Sequence, residues 1–236
     1  MNYKKFVRYY SYSRVSKYYL AANGDKSKAQ MLYYANMKVA QSFHPLLSVF
    51  EVILRNQLHY ALAKYFSDGY WIINQKSGFM IDPSLTYRNK RTKQKVTNNY
   101  LLKEVQNAEK RIRNSGKTVT AGRVIAEQTL GFWNSLYEVH HYALLRGVPC
   151  TIFNALPKGY GRKEINADIA RIRELRNRIN HNEPICFVNK KFDFTYAKDM
   201  YALIVKLLTW IDPDIMQSLK EVDKVQKVIS REEQKA

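Results

Sequence analysis

Residues 163–184 read KEINADIARIRELRNRINHNEP. Isoleucine or leucine stands at 165, 169, 172, 175 and 179, the recurrence of a helix with one apolar face. The spacing predicts a helix over Lys163–Asn182, stopped by Pro184 because the residue before a proline avoids helical geometry. At about 100° per residue, Arg176 falls inside the arc of roughly 80° spanned by Ile165, Ile169, Ile172 and Ile179. A guanidinium on that face requires a partner, since an unpaired buried charge is costly. His181 sits roughly 140° around the helix from Arg176, and Asn177, one turn before it, can orient its ring. Arg176 and His181 can therefore address one phosphate only if the helix end unwinds or a second copy of the chain completes the site.

Outward from this segment, helix signals outnumber strand signals. Asp25 can cap a helix running through Ala40, and Pro45 can open one reaching Phe66, with Leu47, Phe50, Leu54, Leu58, Ala61 and Tyr65 on one face. Glu51 lies beside that stripe and can pair with Arg176, with Arg55 as the competing local partner. Residues 67–100 carry Gly69, Gly78 and Pro83 and then turn basic, which reads as loop with at most one short element. Further helices are expected over Leu101–Arg113, Gly122–Leu145, Asp199–Ile211 and Ile215–Arg231, and Ile185–Phe194 (ICFVNKKFDF) can form a small hairpin. The expected fold class is all-α: one domain over residues 1–236, with a basic loop insertion at about 67–117. A charged tail helix over 215–236 with a frayed end completes it.

The chain has 236 residues, 46% apolar and 25% charged, a globular balance. No apolar run approaches the roughly 20 residues needed to cross a bilayer, and the basic N-terminus lacks a signal-peptide core. A soluble cytoplasmic protein without membrane partners is the expectation. Cys150 and Cys186 are too few for a disulfide framework or a cysteine metal cluster.

Net charge is +19, and residues 1–120 hold 21 basic against six acidic residues. The densest stretch contains Arg88, Lys90, Arg91, Lys93, Lys95, Lys103, Lys110, Arg111, Arg113 and Lys117, opposed only by Glu104 and Glu109. Such a field repels itself unless a polyanion neutralises it, and nucleic acid is the expected partner. The candidate RNA contacts are Arg88, Lys90, Arg91, Lys93, Lys95, Lys110, Arg111, Arg113, Lys117 and Arg178. Tyr9, Tyr10, Tyr12, Tyr18 and Tyr19 add rings on which bases can stack, although for any single one of them a place half-buried in the core is the favoured reading.

Arginine beside histidine suits RNA cleavage. A base must take the 2′-hydroxyl proton, an acid must protonate the leaving 5′-oxygen, and a cation must steady the phosphorane. Neither metal nor other cofactor is needed. The remaining candidates are weaker. His140 and His141 diverge by about 100° and lack a carboxylate at ligand spacing. Cys186 sits among apolar residues, the setting of a structural thiol. His59, one turn after Arg55, could border a cleft. KGYGRKE (Lys158–Glu164) lacks the ending of a phosphate-binding P-loop and reads as a turn.

Three stretches, FEVILRNQL (Phe50–Leu58), TLGFWNSLYE (Thr129–Glu138) and LRNRINHNEPI (Leu175–Ile185), resemble the Abi-like (abortive infection) family of HEPN domains. The order and separation of the three match across most of residues 30–211. The resemblance implies a bacterial HEPN helical bundle with a phage-defence or toxin-like role and metal-independent endoribonuclease activity in a homodimer. It implies Arg176, Asn177 and His181 as the catalytic set, braced by Glu51, Arg55 and Asn56, and a small non-coding RNA as a possible partner. A tyrosine common in related toxins two residues after the histidine is replaced here by Glu183. Two further readings stand beside this one: an RNA-holding protein of the same fold that cuts little, and an interaction module neutralised by an acidic antitoxin.

Overall fold

The structure is a computed structural model describing residues 1–89 and 91–235. It is mostly helical, with two small antiparallel hairpins. The chain opens with α1 (Tyr3–Tyr10), α2 (Tyr12–Ala21), α3 (Lys26–Ser42), α4 (His44–Phe66) and α5 (Trp71–Asn74). Three 3-10 turns, Gln75–Ser77, Phe79–Ile81 and Pro83–Leu85, lead into a hairpin of β1 (Thr86–Arg88) and β2 (Lys95–Thr97). Next come α6 (Tyr100–Asn114), α7 (Ala121–Ala126), α8 (Leu130–Ser135), α9 (Val139–Leu144), a 3-10 turn at Val148–Ile152, and α10 (Arg162–Asn180). The second hairpin, β3 (Phe187–Val188) and β4 (Lys191–Phe192), precedes α11 (Thr195–Ile211), α12 (Asp214–Ser218) and α13 (Val225–Glu233). Among the described residues no helix is long and apolar enough to cross a membrane.

The chain divides into two compact units. The first comprises Met1–Phe50, Glu174–Thr209 and Pro213–Ala236; the second comprises Glu51–Arg173 and Trp210–Asp212.

In the first unit, Asp25 caps α3 as expected, its Oδ1 accepting from the backbone N–H groups of Ser27 (2.8 Å) and Lys28 (2.9 Å). The tyrosine-rich N-terminus forms two helices whose Phe6, Val15, Tyr18 and Ala22 are buried with Ala29, Leu32 and Tyr33 of α3. Phe6 meets Tyr33 edge-on at 5.2 Å, and Tyr18 meets Phe187 of the second hairpin at the same distance. That hairpin turns through Asn189 and Lys190, both at positive φ (48° and 67°), the geometry of a two-residue loop that matches strand twist. Its approach is pinned by Asn36, buried in α3, whose Oδ1 accepts from the N–H groups of Ile185 (2.8 Å) and Cys186 (3.0 Å). Cys186 is the buried structural thiol expected, and burial pushes its pKa up to about 12.

The tail departs from the expected single helix with a frayed end. Asp223 separates α12 from α13, because its carboxylate accepts from Tyr201 Oη (2.7 Å) and from the Val225 N–H (3.0 Å), closing a local turn. The terminus is docked rather than frayed. Glu232 is 2% exposed and lies 3.2 Å from Lys38 of α3, 3.0 Å from Arg231 and 3.5 Å from Lys235.

In the second unit, residues 67–100 are not a loop. Trp71, Ile72, Phe79, Met80 and Leu85 are buried, so the segment supplies core as well as charge. Trp71 donates its indole N–H to His59 Nδ1 (3.0 Å), which gives His59 a structural task. Glu109, buried in α6, pairs with Lys76 and with Arg113 (3.2 Å). The helix expected over Gly122–Leu145 is broken into α7, α8 and α9. Thr129 and Glu138 hold extended backbone before α8 and α9, and the Ser135 carbonyl lies 2.9 Å from His141 Nδ1. Leu130 to Tyr137 is buried all round, so this stretch has no polar face to extend as one surface helix.

Two stability measurements test this packing. Asn36→Ala leaves two buried N–H groups unpaired and should cost about 2–4 kcal/mol in urea unfolding, whereas Asn36→Asp, which keeps the acceptor, should cost less. His141 is fully buried and its pKa is lowered from 6.5, chiefly by burial, with the Ser135 carbonyl and Glu138 opposing the shift. Protons then bind the unfolded chain more tightly, so stability is complete above pH 6.5 and falls as pH drops through the lowered folded value. His59, lowered by burial too, adds to that slope. The urea midpoint should fall between pH 7.5 and pH 5.5, and His141→Asn should reduce the fall; an unchanged slope in the variant contradicts this account.

Candidate functional site

The C-terminal end of α10 is the best-defined feature of the candidate site. At its start, Glu164 reaches back to accept from the Gly161 N–H (3.0 Å), half of a capping box, which makes the KGYGRKE segment a helix-opening turn. Ile165, Ile169, Ile172 and Leu175 are wholly buried and Ile179 nearly so, as the periodicity predicts. At its end, Asn182 adopts positive φ (53°), its N–H donates to the Ile179 carbonyl (3.0 Å), and the Glu183 N–H donates to the Arg178 carbonyl (2.7 Å). This pairing is a Schellman motif with asparagine in the left-handed position. Arg14 of α2 completes it, as Nη1 donates to the carbonyls of His181 (3.0 Å) and Asn182 (3.1 Å).

A groove of about 460 Å³ opens at this junction. His181, Asn182, Glu183 and Pro184 line one side; Ser13, Arg14, Lys17, Tyr18 and Tyr33 line the other. His181 is exposed, and burial pushes the Tyr18 phenol far up, so it remains neutral. The groove thus presents an imidazole and two cations around space accessible to solvent. Arg14 and Lys17 were missed as site residues in the sequence. Their signal is the helical spacing of Val15, Tyr18 and Ala22, which makes α2 amphipathic and sets Arg14 and Lys17 one turn apart on it.

The expected catalytic residues are only partly brought together. His181 lines the groove, while Arg176 and Asn177 do not. Arg176 is half-buried and partnered, and Asn177 is exposed. The helix does not unwind between them: the His181 N–H still donates to the Asn177 carbonyl (2.9 Å). Of the two ways for Arg176 and His181 to share a phosphate, an unwound helix end is therefore absent. Arg178 is partly engaged by its neighbours. It pairs with Glu174 (3.1 Å), lies 5.4 Å from the Tyr196 ring centroid and donates to the Pro184 carbonyl (3.4 Å).

The expected bracing residues and the basic stretch belong to the second unit. Glu51, Arg55 and Asn56 are half-buried on α4; Glu51 is partnered, and Arg55 Nε is buried without a hydrogen-bond partner. Of the expected RNA contacts, Arg88, Lys93 and Lys95 line a hairpin groove of about 460 Å³ with Thr86 and Tyr87. Arg88 is partly spent on the turn, since its Nε donates to the Lys93 carbonyl (2.8 Å). Arg111 is tied to Glu127 (2.9 Å) and Arg113 to Glu109, whereas Arg91, Lys110 and Lys117 are exposed. Lys90 lies outside the described residues. His140 stacks on Tyr87 at 4.6 Å, and no group of three or more His, Cys, Asp or Glu that could hold a metal occurs among the described residues.

Comparison with known proteins finds no matching family model, no matching curated protein and no matching solved structure.

The cap can be probed directly. Arg14→Met removes two charge-assisted hydrogen bonds at an exposed position and should lower stability by about 1 kcal/mol. Asn182→Gly should be nearly neutral, while Asn182→Val should cost about 1–2 kcal/mol, because a β-branched side chain resists the left-handed conformation. Equal unfolding midpoints for the glycine and valine variants would refute the assigned cap.

Proposed function

We propose that the chain is a metal-independent endoribonuclease of the bacterial abortive-infection or toxin type, an Abi-like HEPN protein working as a homodimer in the cytoplasm. The observation that carries the reading is the exposed His181 at the capped end of α10, sharing a groove with Arg14 and Lys17. Strand scission by such a site is an internal transesterification. The 2′-oxygen attacks phosphorus, the bond to the 5′-oxygen breaks, and the products are a 2′,3′-cyclic phosphate and a free 5′-hydroxyl.

His181 can take the 2′-hydroxyl proton as general base, and His181 of the second copy can return a proton to the leaving oxygen. Lys17 and Arg14 can offset charge on the phosphorane, Lys17 as a mobile point charge and Arg14 as a planar donor already fixed through Nη1. Because α10 keeps its helical geometry through Asn180, this reading requires a second copy to bring Arg176 to the same phosphate. Arg91, Lys93, Lys95, Lys110 and Lys117 can track the RNA backbone, consistent with the excess of positive charge.

The basic hairpin groove also favours a second reading, in which the protein holds a small RNA with little cleavage. One experiment separates the two. In EDTA, His181→Ala should abolish cleavage of single-stranded RNA and leave affinity within about threefold, and wild-type products should end in 2′,3′-cyclic phosphate. Tight, salt-sensitive binding of RNA that stays intact would favour the holding reading, and salt-insensitive binding would favour an acidic protein partner.

A further inference from the structure

A second cleft, of about 570 Å³, adjoins the His181 groove and has no part in the proposed chemistry. The two share Tyr18, Tyr33, Asn182 and Glu183 as lining residues, so they meet along the end of α10. The floor of the second is one face of α3. Tyr33, Met37 and Ala40 follow each other at intervals of four and three as an apolar stripe on α3, with His44 at the start of α4 beyond it and with Tyr34 and Met37 more than a third exposed. Both clefts are of ligand size.

Polar groups sit at the margin of this stripe. Glu183 is exposed, and among the described residues its carboxylate has no ion-pair partner, in a chain where basic residues outnumber acidic ones almost two to one. By contrast Lys38, on the same cleft, is taken by Glu232 (3.2 Å). The backbone of Glu183 is held by its bond to the Arg178 carbonyl, so the helix cap fixes where this side chain leaves the main chain at the edge of both clefts.

Resting on the ribonuclease reading, we propose that this cleft is a base-binding subsite for guanine next to the phosphate held in the His181 groove. The arrangement matches a nucleotide part by part. Arg14 and Lys17 face the phosphate end, while the Tyr34–Met37 face offers an apolar and aromatic wall to a flat base. A carboxylate has acceptors only, and guanine alone among the four RNA bases presents two adjacent donors, N1–H and the N2 amino group, on its pairing edge. Adenine, cytosine and uracil leave one carboxylate oxygen unmatched or face it with a carbonyl. Single-stranded RNA is the substrate class, since a base must leave its stack to enter the cleft.

The test uses the full-length His181→Ala protein, so that binding is read without cleavage. Titration with the 3′-monophosphates of guanosine, adenosine, cytidine and uridine should show guanosine 3′-monophosphate bound at least fivefold more tightly than the others. Glu183→Gln in the same background should erase that preference while changing uridine 3′-monophosphate affinity less than twofold. Ala40→Phe, which fills the cleft, should weaken all four, with thermal unfolding checking that the variant is folded. Equal affinities for the four nucleotides, or a guanine preference that survives Glu183→Gln, overturns the subsite. The ribonuclease reading fails separately: wild-type protein that binds guanosine 3′-monophosphate selectively yet never cuts RNA keeps the subsite and loses the enzyme. Cutting that ignores base identity keeps the enzyme and loses the subsite.

Discussion

The contact between the Arg14 guanidinium and the His181 and Asn182 carbonyls, in the cap just past the end of α10, is the constraint on which the site geometry depends. A helix C-terminus leaves unsatisfied carbonyls carrying partial negative charge, and they need either water or a donor. Here the donor is a side chain from α2, and using it brings an arginine next to the capping histidine. Structure and candidate chemistry thus draw on one group. Removing Arg14 would expose the helix end and strip the groove of a cation at once, which is why a stability measurement has to accompany any activity measurement at this position.

The same economy recurs where α3 meets its neighbours in the first unit. Asn36 spends its oxygen on two backbone donors of the Ile185–Cys186 segment, and Lys38 spends its charge on a carboxylate at the chain's far end. Both residues also border the open cleft, so the walls of that cleft are held by contacts reaching the second hairpin and α13. A cleft walled this way is preorganised: little ordering cost remains when a ligand enters. The Tyr34–Met37 face is apolar surface that folding leaves partly uncovered beside this cleft.

The sequence revealed long amphipathic elements well and interrupted ones poorly. The five apolar positions of α10, the Asp25 cap and the ICFVNKKFDF hairpin each carry a local signal strong enough to read alone, and each is present. Of the two breaks in Gly122–Leu145, the one between α8 and α9 is accompanied by a bond of the Ser135 carbonyl to a buried histidine, a contact no window of sequence displays. Likewise the order within residues 67–100 comes from burying Trp71, Phe79 and Leu85 among basic neighbours, where charge outweighed pattern. At the site, the His181 position was legible from helix spacing and Pro184, because a C-cap is a local event. Arg14 and Lys17 were not, since they arrive from more than 160 residues away and no local pattern ties α2 to the end of α10.

The two cysteines fall one to each unit, Cys186 in the first and Cys150 in the second. Burial raises both thiols above their ordinary range, Cys186 to about 12, so neither offers much thiolate near neutrality while its surroundings stay closed. Alkylation of the buried Cys186 would then proceed only through transient opening, and its rate would report how often the first unit opens, whereas Cys150 is only half-buried. The chain thus carries, without any engineering, a built-in reporter of opening in its first unit.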